Sequence, residues 1–428
     1  MIGTMSGVRR GLAGRADSDN VRRQNRSLVL SALRRRSPIA RVELGAETHL
    51  SPATITAITA DLIAEGLVVA RDDDSLDADA GGDRIRRGRP RVLLELSAQA
   101  AHVLAVKFSY NQVVLQLADF SGKTVVRHEA ALPTFGETRD SFPKKLAGAI
   151  RDLVSDCGLT LDQIAEIAIG AQGFVDTKAG SVMWSPAFGE ADVRLVEPLM
   201  AELGRPCTLS NDANMIAQAL HEADPVLYGD TFAVVFIDYG VGMGLFVGGE
   251  LHHGAAGSAA EFGHMNHKPH GPLCRCGRRG CLEAFAADYA IYRDAKGLSP
   301  DTVPTDAHPT QGELIALEAA AHAGDARIRA VYEQVGTALG YGLARLMALI
   351  NPSRIVFTGK STRAYPLFAP AMMAAIEDGL VEDLRRHTVI ETLPWQDDMI
   401  MSGLISYMLS RLDRDVFSTP QQARAFRG

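Results

Sequence analysis

Three of the five cysteines in this 428-residue chain fall within eight residues, Cys274-Arg275-Cys276-Gly277-Arg278-Arg279-Gly280-Cys281, and no other feature restricts the fold so tightly. The interleaved glycines let so short a segment turn back on itself, so that three thiolates can converge on one ion. A closed tetrahedral zinc site needs a fourth ligand. His264 precedes Cys274 with nine residues between, and His252, His253, His267 and His270 are also near. The competing reading, free buried thiols or a redox pair, fits less well, because proteins of a reducing compartment seldom cluster cysteines without a use. Four protein ligands leave no open position for water, so the expected role of Zn2+ is structural. Five cysteines are too few for a disulfide framework in a chain this long, which makes the cytoplasm the expected location. Cys157 and Cys207 lie on apolar patterns and are expected in the core.

Charge divides the chain into unlike parts. The net value is -7, yet residues 1–91 carry 16 Arg and no Lys against 12 acidic residues, a balance of +4, and the remainder stands at -11. A basic binding module joined to an acidic body is the expected arrangement. Three helical patterns precede residue 70. The first covers about 20–35, with Val21, Leu28, Val29, Ala32 and Leu33 as its apolar stripe, and Ser37-Pro38 closes it. A short second helix covers about 42–48. The third starts at Ser51-Pro52, an N-cap serine followed by proline at the first helical position, and runs through Ala53, Ile55, Ile58, Leu62 and Ile63 to Gly66.

Two helices joined by a tight turn, the second of them capped, fit a helix-turn-helix. Ser51, Thr54, Thr56 and Thr59 are expected on its exposed side, able to meet phosphates and base edges. Residues 67–69 and 92–96 read as the strands of a wing around a Gly/Asp/Arg-rich loop. The basic end of that loop carries Arg84, Arg86, Arg87, Arg89 and Arg91; extended around Gly88 and Pro90, it can slide arginine into a narrow minor groove. Such arginines supply the phosphate neutralisation that DNA affinity requires, so a double-stranded DNA operator is the expected partner. The competing readings are a three-helix bundle for protein contacts and, for the loop, a solvated linker, which Asp72-Asp73-Asp74 favours.

From about residue 102 strands alternate with helices. Strands are expected at 103–108, 113–118 and 125–130, a helix at 139–156 and an apolar strand at 164–170. A second cycle brings strands at 232–237 and 244–247, a long helix at 326–350, a strand at 354–358 and a terminal helix near 401–411. The repeated plan indicates a duplicated α/β fold with a cleft between halves. No run of about 18 uncharged apolar residues occurs, so no membrane insertion is expected, and the polar, Arg-rich start lacks the apolar region of a secretory signal.

Several segments together resemble the zinc-containing members of the ROK family (repressors, open reading frames, kinases). They are Glu261-Phe262-Gly263-His264, the cysteine cluster with Leu282-Glu283, Asn211-Asp212-Ala213-Asn214, and the glycine loop Gly240-Val241-Gly242-Met243-Gly244. The winged helix with Gly88-Arg89-Pro90 resembles the repressor branch of that family. The resemblance implies an N-terminal winged helix-turn-helix (20–96) and a two-lobed actin-like ATPase (ribonuclease H-like) body. The first α/β lobe would cover 100–212, and the second, with zinc loop and dimerisation surface, 213–412. It also implies a sugar pocket between the lobes, contacted by Asn211, Asp212, Glu261, His264 and Glu283, with Asp212 at the position of the base that kinases use. His264 would double as the zinc ligand beside Cys274, Cys276 and Cys281. On its own, Asn211-Asp212 reads equally as a helix N-cap.

Departures from the kinase pattern separate enzyme from regulator. Family kinases open the body with Asp-x-Gly-x-Thr; the matching strand here ends Lys107-Phe108-Ser109-Tyr110-Asn111. Their second phosphate loop, Gly-Thr-Gly, is Asp238-Tyr239-Gly240, and a carboxylate there repels phosphate. The kinases' Pro-Gly is Gln172-Gly173, and the late Gly-Gly is Gly359-Lys360. No phosphoryl transfer and no catalytic residue are therefore expected. Where family recognition helices often carry arginine, this chain has Thr54-Ile55-Thr56-Ala57, which leaves base readout to threonines, methyl contacts or wing arginines. The expected function is a sugar-responsive DNA-binding transcriptional regulator, a repressor, acting as a dimer or tetramer on a two-fold symmetric operator. Its rivals are a sugar kinase of the ROK family with an appended DNA-binding module, and a regulator whose effector is another protein.

Overall fold

A computed structural model describes residues 7–72, 92–255 and 257–419. Arg84, Arg86, Arg87, Arg89 and Arg91 lie outside the described residues, as does Gly88-Arg89-Pro90.

Helix α1 (Gly7–Arg36) begins well before the expected residue 20 and stops ahead of Ser37-Pro38, where proline excludes helical geometry for its predecessor. Its buried stripe is Arg26, Val29, Leu30, Ala32 and Leu33, so Val29, Ala32 and Leu33 are buried as expected, whereas Val21 and Leu28 are 53% and 40% exposed. An apolar count alone misses the N-terminal end of this stripe because a charged residue occupies it: Arg26 donates to Phe417 O and pairs with Glu65, and so can be buried. Strand β1 (Ile39–Ala40), helices α2 (Arg41–Thr48) and α3 (Pro52–Ala64), and strands β2 (Val68–Asp72) and β3 (Val92–Leu96) complete the module. Its antiparallel sheet has the order β1-β3-β2, the winged arrangement with one added strand that was too short to read from the sequence.

The body holds two five-stranded sheets of one plan. Strands β4 (His102–Ser109), β5 (Gln112–Asp119) and β6 (Thr124–Ala131) form an antiparallel meander. Helix α4 (Phe142–Asp156) then crosses to β7 (Ile164–Ala171), which pairs parallel to β4. A small sheet of β8 (Phe174–Asp176), β9 (Ser181–Trp184) and β10 (Val193–Arg194) intervenes, followed by α5 (Val196–Leu203) and β11 (Cys207–Asn211). The first sheet thus runs β11-β7-β4-β5-β6. In the second, β12 (Phe232–Ile237), β13 (Val241–Val247) and β14 (Glu250–Leu251) are antiparallel. The long helix Ala326–Ile350 leads to β15 (Arg354–Thr358), then β16 (Val389–Thr392), both added in parallel to give β14-β13-β12-β15-β16. This is the two-lobed actin-like body. Among the described residues no helix is long and apolar enough to cross a membrane.

Helix α6 (Asp212–Ala223) packs on the second sheet, and the C-terminal helix Met399–Arg411 packs on β4 and β7 of the first. The chain therefore returns to the first lobe after β16, although numbering alone puts this helix with the second. The two helices meet at Gly403, where an added Cβ would lie 1.8 Å from Met215 O, so only glycine permits the crossing. A hydrophobic core continues from α1 and α3 through the first sheet to this helix pair. Most of the segment read as a glycine loop is strand: β13 begins at Val241, not at 244. Its glycines serve packing, since a Cβ at Gly244 would meet Ala213 O at 2.3 Å and push α6 off the sheet.

Candidate functional site

Parallel strands leave their carboxyl ends open where neighbouring connections diverge, and such a crevice is the usual ligand site of an α/β sheet. Here the ends of β4, β7 and β11 face those of β12 and β15 across an interlobe cleft of about 160 Å³. All five positions expected to contact a sugar line it: Asn211, Asp212, Glu261, His264 and Glu283.

The junction of β11 and α6 positions the first two. Asn211 is the N-cap of α6, its Oδ1 accepting from Ala213 N at 2.9 Å, while its Nδ2 donates to Gly173 O at 2.9 Å. Asp212 is buried, with Oδ1 accepting from Ala213 N at 2.8 Å. Burial pushes its carboxyl up to about 6, against the pull of the nearby Lys107 ammonium. Burial likewise pushes Glu261 up to about 7, with His264 opposing. Glu283 is anchored from both oxygens, Oε2 accepting from Val241 N at 3.1 Å and Oε1 from the Tyr289 hydroxyl at 3.4 Å. Convergent carboxylates and an amide of fixed orientation are what a polyhydroxylated ligand requires.

One wall of the cleft is braced by the cysteine loop. The ligand atoms of His264, Cys274, Cys276 and Cys281 all lie within 4.8 Å of one another. A tetrahedral ion with bonds of about 2.3 Å to sulfur and 2.0–2.1 Å to nitrogen places donors about 3.8 Å (S to S) and about 3.5 Å (S to N) apart. Cys276 Sγ to Cys281 Sγ is 3.8 Å and Cys274 Sγ to His264 Nδ1 is 3.6 Å. The four residues therefore fit a metal ion of zinc's preferences. Nδ1 faces the thiols, and Nε2 lies 4.0 Å from Glu283 Oε2, beyond hydrogen-bond reach. Cys207 is buried as expected, and Cys157 is half-buried.

The departures from the kinase pattern gather in the same cleft, lined by Lys107, Asp238 and Lys360. Arg275, inside the cysteine motif, lies over the Tyr239 ring at 3.8 Å and also lines the cleft. The motif's spacing carried no sign of this, because its x positions read as free.

On the winged helix, Ser51 caps α3 by accepting from Thr54 N at 3.2 Å. Ser51 and Thr56 are exposed and Thr54 half-buried, so these three share the outer side, where Ala53, Ala57 and Ala60 add methyl surface. Thr59 does not belong there. It is fully buried, donating to Ile55 O at 2.8 Å and accepting from Arg41 Nε at 2.9 Å. Position 59 follows Ile55 by four and precedes Leu62 by three, which is the core face of the helix. Thr59→Val is accordingly expected to cost about 1 kcal/mol of stability by thermal melting. Thr56→Ala should leave the melt unchanged and weaken operator binding.

Residues 103–408 match the ROK family. The DNA-binding transcriptional repressor Mlc of Escherichia coli (strain K12) is 27% identical over 390 residues, covering 90% of this chain and 93% of that one. The xylose repressor of Caldicellulosiruptor bescii is 26% identical over 406 residues, covering 93% and 98%. Among solved structures, a ROK family transcriptional regulator that is a homolog of the E. coli Mlc protein superposes with a TM-score of 0.73 at 23% identity, covering 94% of this chain and 99% of that chain.

Proposed function

Because this chain belongs to the ROK family, with relatives that span its winged helix as well as its body, we propose that it is a sugar-responsive, DNA-binding transcriptional repressor. The observation that carries this reading is the convergence of Asn211, Asp212, Glu261, His264 and Glu283 on one interlobe cleft. In this reading α3 enters the major groove with Ser51, Thr54 and Thr56 outward, and Arg87, Arg89 and Arg91 of the wing reach the minor groove. A homo-oligomer, dimer or tetramer, would present paired modules to a two-fold symmetric site.

Phosphoryl transfer is not part of the proposal. Lys107 stands where the kinases carry their metal-binding aspartate, and an ammonium there cannot ligate the metal ion and repels it. His264, Cys274, Cys276 and Cys281 would hold zinc, which supplies a fixed cross-link between the two ends of its loop. That cross-link stiffens the segment bearing His264 and Glu283, so both stay aimed at ligand hydroxyls.

Ligand binding reaches DNA through the C-terminal helix. Ile400 of that helix lines the cleft, and beyond its end Asp413 pairs with Arg34 of α1 while Phe417 packs on Phe120 at 5.1 Å. Lobe closure on a sugar that prefers the closed form would shift this helix against α1. A coupling of about 1–3 kcal/mol is typical of such linkage.

A pH effect follows from Asp212. A sugar hydroxyl donates more strongly to the carboxylate than to the protonated acid, so binding competes with a proton held up to about 6. Affinity should fall as pH drops through about 7 and about 6, where Glu261 and Asp212 of the cleft take up protons, and Asp212→Asn should remove only the lower of the two steps. A thermal-shift screen of sugars and sugar phosphates, then operator binding with each hit, tests the whole reading. No thermal shift with any compound would sink it.

A further inference from the structure

Lys107 is out of place for a residue in the middle of a buried sheet. It sits near the end of β4, between β5 and β7, followed by the fully buried Phe108, and its side chain lines the floor of the interlobe cleft. Among the described residues its ammonium makes no hydrogen bond and has no carboxylate within 4 Å. The groups that face it are Asp212, Asp238 and Asp397 on one side of the balance and Lys360 on the other, with Asp212 acting on it most strongly among the charges. Burial nevertheless makes this ammonium easier to deprotonate than a free lysine. A half-buried ammonium on the cleft floor without a protein partner is open to a ligand that accepts from it.

Asp212 offers the other half. Its Oδ1 is engaged by Ala213 N, and its second oxygen has no hydrogen bond among the described residues. Lys107 and Asp212 thus line one cleft, interact strongly, and remain apart by more than the 4 Å that defines an ion pair. A single polar atom that bridges the two must accept from the ammonium and donate to the carboxylate. A hydroxyl does both. A phosphate monoester in its dianionic form, or a carboxylate, can accept from Lys107 but brings no proton to Asp212, and a divalent cation meets the ammonium's charge.

We propose that Lys107 is an effector contact that, together with Asp212, clasps a single free hydroxyl of a sugar, so that the cleft selects a ligand left unmodified at that hydroxyl. The proposal rests on the sugar reading of the cleft and names the residue that decides between a neutral sugar and its phosphate ester.

The test is calorimetry on the full chain with the neutral sugar giving the largest heat, and with its phosphate monoesters. Wild type, Lys107→Met, Asp212→Asn and the double variant are compared at about pH 6 and about pH 8.5, with Lys107→Gln as a second variant should Lys107→Met fold poorly. Loss of a charge-assisted hydrogen bond should weaken sugar binding about 10- to 100-fold at both pH values. The double variant should bind only about as weakly as Asp212→Asn, because both side chains hold the same hydroxyl. The phosphate monoesters of that hydroxyl should bind more weakly than the parent sugar.

Equal affinity of Lys107→Met and wild type overturns the proposal. So does a loss that disappears at the higher pH, since Lys107 would then only keep Asp212 ionised, and so does a phosphate monoester that binds more tightly than its parent in a Lys107-dependent way. Absence of heat from wild type with every sugar is a different result: it removes the sugar reading itself, and this contact with it.

Discussion

Cys276→Ser is expected to cost more than about 4 kcal/mol of stability and to abolish the sugar response with it, the largest effect of any single substitution here. The four donors are already spaced for a tetrahedral ion, and a serine hydroxyl is a poor replacement for a soft thiolate. Cys274 and Cys281 are 1% and 2% exposed, so the remaining thiols cannot be satisfied by water. The damage spreads to the cleft because His264 is itself one of the four donors and Glu283 lies two residues beyond Cys281. Glu283 is tied to Val241 N and to the Tyr289 hydroxyl, and those ties depend on where the loop holds it. Chelator-treated wild type should melt like the variant, and both should keep their operator occupied when sugar is added. A metal-free protein that still releases DNA on sugar addition would separate the loop from the response.

Arg34→Met should produce the second large loss, about 3–5 kcal/mol, by leaving a buried carboxylate without its partner. Asp413 is 1% exposed and paired with Arg34, whose guanidinium also donates to Phe120 O at 3.2 Å and lies over the Phe120 ring at 5.1 Å. Burial pushes the Asp413 carboxyl up, and Arg34 is the main group opposing it. Without Arg34 the folded protein holds that proton more tightly than the unfolded chain does. The stability contributed by the protonated form is then present at low pH and lost as pH rises, so the deficit against wild type should open above the already raised wild-type value of Asp413 and widen with further rise in pH. Denaturant melts over a pH series measure this directly. An apolar pair, Arg34→Met with Asp413→Leu, should restore most of the stability, which allows the operator response to sugar to be read separately from folding. A normal response in the restored variant would show that the ion pair only holds the module in place.

Much of the site was legible in the residues themselves. Cys274, Cys276, Cys281 and His264 could be assembled because thiolates within eight residues have few ways to be satisfied, and the family pattern supplied the histidine. The five cleft positions followed from the same pattern and lie together. Base-facing residues were harder. Thr59 resembles Thr56 as a letter, yet three residues of helix rotate it to the core face beside Ile55 and Leu62. Arg26 misled in the opposite sense, since a charged residue in a buried stripe is readable only once its partners, Phe417 O and Glu65, are known from distant parts of the chain.

What the sequence determined by itself was local or stoichiometric: strand and helix periodicity, the Ser51-Pro52 helix start, the donor set for one ion, and the split between a basic module and an acidic body. What only the tertiary structure decided depends on segments far apart in the chain. It returned the C-terminal helix to the first lobe, joined Asp413 to Arg34, and set the unpaired Lys107 ammonium across a gap from Asp212. Periodicity follows from neighbours within a turn or a pleat, whereas burial and pairing of a charge depend on which remote surface arrives to desolvate it.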